Sequence, residues 1–405
     1  MHPSLTYELP APSTAVVDRK QSCRAYPSSA SSLSLDNTRT VRIRIGGEDF
    51  VDPSSIRLMF TIKNGADGVL RPVTGPFGVW QQAYLRSSGV EIDNIPYYNR
   101  RRHQMGYLNL KREDQLAVGI EGLGTNLLRD NGLYEIGDIA GQQAITCMHR
   151  LHFSLFNAGR LLPVKYAPLE IELSMVNNVT DWLDTATASS SGTFTLQNIQ
   201  ILYDAYTLDE AVLQSFYSAL LKNKVMSVGT MGMYQIVQPL PAGASTFSFS
   251  SVRAFSRLAQ IWLTFRGTGP RSSNFMCPGN LPGHTDVANG GIQNEAVPTA
   301  RLSIGSHNWP DPFPVTTAAE YYMLLTKALG YTPNLTRKCF EQDAFTIVWD
   351  LQRTPGDPTS AVSTRSGDLV RCDLSNLSNG ATECWMTLIS YNVIAIKESG
   401  VSVLS

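Results

Sequence analysis

Residues 161–183 read LLPVKYAPLEIELSMVNNVTDWL, and within them Leu169, Ile171, Leu173 and Met175 alternate with Glu170, Glu172 and Ser174. Successive side chains of a strand point to opposite faces, so this period of two marks a strand with one dry face and one wet face. The pattern recurs as VRIRI at 41–45, IRLMFTI at 56–62 and AFTIVWDLQ at 344–352. Short strands repeated between Gly- and Pro-rich loops predict an all-β chain of antiparallel sandwiches. Helical stretches are too few for the alternating units of a parallel sheet.

At 405 residues the chain exceeds one ordinary core, and two domains of roughly 150–200 residues are expected. Residues 1–38, Ser-rich and punctuated by Pro3, Pro10, Pro12 and Pro27, read as an N-terminal arm that cannot build its own core. Strands begin at Val41, and Asn64-Gly65 gives a turn after the second. YYNRRRHQMGYLNL, from Tyr97, is the first helical stretch, and 109–143 is an irregular excursion. DEAVLQSFYSALLKN, 209–223, changes period: Val212, Phe216 and Leu220 share one helix face, Asp209 and Glu210 sit at its start and Lys222 at its end. It reads as a connector. Strands then resume with MGMYQIVQPL, STFSFSS and AQIWLTF, followed by a Gly/Pro/Asn-rich loop over 267–298. TTAAEYYMLLTKALG, 316–330, is the clearest helix, with Thr316 or Thr317 to cap it and Gly330 to end it.

Composition excludes several classes. A hydrophobic fraction of 43% against 17% charged residues and a net charge of −1 give no basic field to gather nucleic acid. The densest basic cluster, Arg100, Arg101 and Arg102 beside His103, reads as a solvated helix face. Cys23, Cys147, Cys277, Cys339, Cys372 and Cys384 form no CxxC pair, and their spacing fits reduced thiols in an intracellular setting. A Cys372–Cys384 bridge between hairpin strands stays open. There is no visible signal peptide or membrane-spanning run. The sequons at Asn178, Asn334 and Asn376 are taken as chance matches.

No catalytic constellation emerges. His149 and His152 fall three apart in a strand-like stretch, where they face opposite sides instead of converging on a metal. Asp181 and Asp184 sit in a strand-ending turn, where Asp caps backbone groups. His284 and His307 are isolated, and neither a nucleophile elbow nor a P-loop occurs. The aromatics, from Trp80, Tyr84, Tyr97 and Tyr98 to Trp262, Trp309, Tyr321, Tyr322, Trp349 and Trp385, read as core or interface packing. Catalytic, cofactor and metal residues are therefore expected to be none.

Three passages carry a resemblance: FGVWQQAYLRSSGVEIDNIPYYNRRRHQMGYL; then LHFSLFNAGRLLPVKYAPLEIELSMVNNVTDWL with FTLQNIQILYDAYTLDEAV; then ARLSIGSHNWPDPFPVTTAAEYYMLLTKALG with FTIVWDLQR. Their order resembles the double jelly-roll major capsid proteins of tailless icosahedral dsDNA viruses, near the virophage and polinton-like lineages, over roughly residues 40–398. The resemblance implies a first jelly roll over 39–208, a connector helix over 209–223 packing across both rolls, a second roll over 224–399 and a tail over 400–405. It also implies a homotrimer forming a pseudo-hexameric capsomer within the virion, meeting penton and minor or cement proteins. It implies no enzyme activity, no cofactor and no sequence-specific nucleic acid, and leaves contact with an inner membrane open. The rival expectations are a carbohydrate-binding or carbohydrate-active β-sandwich and a minor vertex protein.

Overall fold

The computed structural model describes residues 17–70, 72, 76–101, 139–179, 182–183, 193–221, 225–241, 244–267, 298–309, 315, 317–333, 340, 345–354, 356–365, 367–377 and 381–404. The first unit contains β1 (Val17–Ala25), β2 (Ser32–Ser34), β3 (Thr40–Ile45), β4 (Phe50–Val51), β5 (Arg57–Asn64), β6 (Trp80–Ser87), β7 (Val90–Ile95), β8 (Ala144–Arg150), β9 (Leu162–Pro163), β10 (Leu169–Met175) and β11 (Phe194–Leu208). Helix α1 (Glu210–Leu221) follows. The second unit contains β12 (Met226–Pro239), β13 (Thr246–Ser251), β14 (Leu258–Gly267), β15 (Thr299–Ile304), β16 (His307–Trp309), helix α2 (Ala318–Leu329), β17 (Ile347–Asp350), β18 (Val370–Ser375), β19 (Ala381–Lys397) and β20 (Gly400–Leu404).

Among the described residues each unit is two sheets. The second unit has β12-β19-β14-β17 facing β13-β18-β15-β16. The first has β3-β10-β6-β7 facing a sheet in which β11 joins β2 on one side and β5, then β8, on the other. With β1, β4, β9 and β20 set aside, both units share one strand order. One sheet runs first, eighth, third, sixth; the other runs second, seventh, fourth, fifth. That antiparallel order is the jelly roll, two Greek keys in two packed sheets. The chain is two of them in tandem.

The opening stretch alternates as its period predicts. In β10, Ile171 is wholly buried between Ile43 of β3 and Leu85 of β6. On the other face Glu172 is buried, not solvated: its Oε2 accepts from Arg42 Nε at 2.8 Å and Arg86 Nη1 at 2.9 Å, a cross-strand charge ladder. Helix α2 also begins and ends where expected. The Thr317 hydroxyl accepts from Glu320 N, and the Glu320 carboxylate accepts from Thr317 N, a capping box. Gly330 closes it at φ 75°, a conformation open to glycine.

Three boundaries differ from the sequence reading. The arm expected over 1–38 is strand from Val17 to Ala25, paired along β11 from Ile201 to Leu208, and again from Ser32 to Ser34. Its polar letters are no obstacle, because β1 is an edge strand whose side chains stay largely in solvent while its backbone groups pair. The tail expected over 400–405 is β20 from Gly400 to Leu404, paired with β19, and Val401 is buried. Asn64-Gly65 ends β5 but makes no hairpin, since β5 pairs with β8 and β11. Asn64 instead turns inward, its Nδ2 donating to the Ile139 and Ala140 carbonyls at 3.1 Å each.

The two cores touch. Val228, Ile394, Ile396 and Val401 of the second unit belong to the apolar cluster of the first. The described contacts of α1 are with the first roll: Tyr217 packs edge-on to Tyr166 at 5.6 Å, beneath Lys165.

Candidate functional site

No helix among the described residues is long and apolar enough to cross a membrane, and no group of three or more metal-ligating side chains is found among them. His149 lies at the bottom of the first core, its ring edge-on to Phe60 at 5.8 Å and tilted against Phe77 at 5.8 Å. His152 lies beyond the end of β8, half-buried, its backbone N–H donating to Tyr98 Oη at 3.3 Å. The two therefore do not converge. His307 is exposed beside Trp309. Asp181, Asp184, His284, Arg102 and His103 lie outside the described residues. Cys372 and Cys384 are free, buried thiols on opposite sheets, and burial pushes both well above the usual thiol range.

The densest chemistry sits where the rolls meet. Just after β7, Tyr97 packs edge-on to Trp385 of β19 at 4.3 Å. Arg100 lies 3.9 Å over the same indole, and its Nη1 reaches Glu383 Oε2 at 3.4 Å. Arg101 stacks over Trp262 of β14 at 5.1 Å and is only 3% exposed. These contacts overturn the reading of Arg100 and Arg101 as a solvated face. Burial lowers the Arg101 guanidinium to about 10, which leaves it cationic at neutral pH. Guanidinium stacked on indole is a favourable way to keep such a charge dry. Sequence reasoning missed this because Arg100 and Glu383 are 283 positions apart.

The aromatics behave as packing. Trp80, Trp262, Trp349, Trp385, Tyr98 and Tyr321 are all buried. Among the described residues, few large apolar side chains are exposed. Val252 is 89% exposed, and Leu369 is partly exposed near it, because Ser251 and Val370 are paired at the open end of β13 and β18.

No family model matches the sequence, and no curated protein matches it. Solved structures do. A chain of the PBCV-1 virus capsid superposes with a TM-score of 0.64 at 13% identity, over 98% of this chain and 99% of that one. A chain of the Sputnik virophage, solved by cryo-EM, gives 0.61 at 9% identity over 100% and 92%. The Faustovirus major capsid protein gives 0.61 at 9% identity over 97% and 92%. The likeness runs through both units and their junction, and it shows that this chain has the double jelly-roll fold of those proteins.

Proposed function

We propose that this chain is the major capsid protein of an icosahedral dsDNA virus, acting by self-assembly and not by catalysis. The observation that carries the reading is the repeated strand order: one chain presents two similar sandwiches side by side. Three such chains about a threefold axis form a closed ring of six similar lobes, and a near-hexagonal ring tiles a shell. The fold shared with capsid chains of PBCV-1 and Faustovirus supports it. So does the net charge of −1, which gives no basic field to gather nucleic acid. The exposed Val252–Leu369 corner offers apolar surface to a neighbouring copy. Penton and cement proteins would meet the capsomer at its rim.

Size-exclusion chromatography with light scattering, followed by negative-stain imaging, tests this. Homotrimers with six lobes are expected. Stable monomers at micromolar concentration overturn the reading, pentamers point to a vertex role, and saturable sugar binding by the purified protein points to the carbohydrate rival.

A further inference from the structure

The two rolls of one chain meet head to tail. The first presents the β7 edge of its β3-β10-β6-β7 sheet, and the second presents the outer face of its β12-β19-β14-β17 sheet. Strand β7 lies against β12 and β20. The β6–β7 turn reaches the β19–β20 turn, where a Cβ added at Gly400 would stand 3.6 Å from Ser88 Cβ. Beyond β7, Tyr97 and Arg100 pack on Trp385, and Arg101 packs on Trp262. The two sides use different surfaces, so the contact is heterologous. Yet each roll carries both surfaces, because the strand order repeats. One edge and one face are used inside the chain. The outer face of β11, β5 and β8 on the first roll and the β16 edge of the second are left over.

We infer that the outer face of the first roll, centred on Met59 and Met148, receives the β16 edge of a second copy of this chain. The face has an apolar centre. Met59 of β5 sits directly across from Met148 of β8, and Leu202 of β11 lies in the next row, opposite Arg57. All three alternate with buried neighbours, point away from the sandwich, are half-buried, and belong to neither core cluster. Arg57 and Lys63 border them on β5, an apolar centre with a polar rim. Met59 is on the outward side of β5 as Trp262 is on β14, and Trp262 is already covered by the first roll. Methionine adapts its shape to whatever packs on it. On the other partner, β16 is the fifth strand of its roll, as β7 is, and ends its sheet with His307 exposed and Trp309 half-buried. A heterologous contact repeated by a rotation that closes gives a ring, and a ring of three leaves no such face or edge over. The inference rests on the self-assembly proposed above and adds which surfaces meet.

Light scattering and cross-linking on the full-length protein test this. Met59→Glu and, separately, Met148→Glu should stay folded by circular dichroism, since neither side chain enters a core. Each should weaken the trimer by roughly tenfold or more, because a carboxylate would be buried at the contact. A photo-reactive benzoylphenylalanine at position 63, where Lys63 is exposed at the rim, should cross-link to another copy within residues 299–333, the stretch that holds β16 and α2. If a Glu variant does not fold, the cross-link decides alone. Wild-type trimers with both folded Glu variants equally trimeric overturn the inference and leave the capsid reading standing. So does a cross-link that joins first roll to first roll, or the lack of any between copies. A wild type that stays monomeric overturns both.

Discussion

Strands β5 and β14 hold the same place in their rolls, third in sequence and beside the last strand of the sheet, yet their surroundings differ. In β5, Leu58, Phe60 and Ile62 are buried while Arg57, Thr61 and Lys63 reach solvent, as a half-wet strand should. In β14 every described side chain from Leu258 to Phe265 is buried. Ile261, Leu263 and Phe265 enter the sandwich core, and the opposite face, with Gln260, Trp262 and Thr264, is covered as well. Gln260 Nε2 donates to the Ala328 carbonyl of α2 at 2.9 Å, and Arg101 of the first roll stacks on Trp262. The polar letters on that second face are satisfied, not solvated: Trp262 Nε1 donates to Gln260 Oε1 at 3.0 Å. One strand order thus serves two jobs. The first roll's sheet ends at water, and the second roll's sheet is the middle layer of a three-layer stack. Burying Gln260 and Trp262 there is tolerable because each finds a partner.

Four expected outcomes break or sharpen that contrast. A carboxylate placed in either core should be decisive. Ile171→Asp in the first roll and Trp349→Asp in the second each bury an unpaired charge, costing more than about 4 kcal/mol. Against a total stability of about 5–15 kcal/mol, both should abolish soluble folded protein, read by yield and circular dichroism. A soluble, assembling Ile171→Asp chain would contradict the assignment of the β10 faces.

Trp385→Ala removes the indole that Tyr97 and Arg100 share, at about 3–5 kcal/mol for a buried Trp. Calorimetry should then resolve two unfolding transitions where the wild type gives one. A single transition in the variant would mean that the junction does not couple the rolls.

Asp93 is fully buried in the first roll, and burial pushes its carboxyl up to about 6. The native state therefore favours the protonated acid. Its contribution is complete below about pH 4 and is lost as pH rises through about 6, a change of about 2–3 kcal/mol. Urea midpoints measured across pH 4–7 should fall for the wild type relative to Asp93→Asn, which can still accept from Ser154. Parallel curves for the two proteins would show that Asp93 is not strained in this way.

Val401→Ala should have the smallest effect, about 1.5–2 kcal/mol for two lost methyl groups and the space they leave. Its location is what informs. Because Val401 belongs to the first roll's apolar cluster, hydrogen exchange should quicken in β7 as well as in β19. Faster exchange confined to the second roll would place the C-terminal strand with that roll alone.

Much of the fold is legible in the letters. Alternation located β3, β5, β10 and β17, and the change of period at Asp209 located α1. Thr316 or Thr317 as cap and Gly330 as stop bracketed α2 to within a residue or two, and the structure chose Thr317. What escaped was short or polar. β4, β9 and β16 have two or three residues each, too few to show a period. β1 carries Asp18, Arg19, Lys20, Gln21 and Ser22 in a row, and nothing in that run reveals that β11 offers its backbone an unpaired edge. At the junction, too, Arg100 and Arg101 are ordinary surface letters until β14 and β19 bring Trp262 and Trp385 beneath them.

The sequence by itself determined which side of most strands is dry, because that depends on the spacing of apolar residues within a few positions and on the pleat of the backbone. The tertiary structure alone decided which dry sides meet, which ends of the chain become strands, and which charges leave water. Those outcomes rest on backbone pairing and aromatic stacking between segments as much as 283 positions apart, and no local pattern encodes the partner.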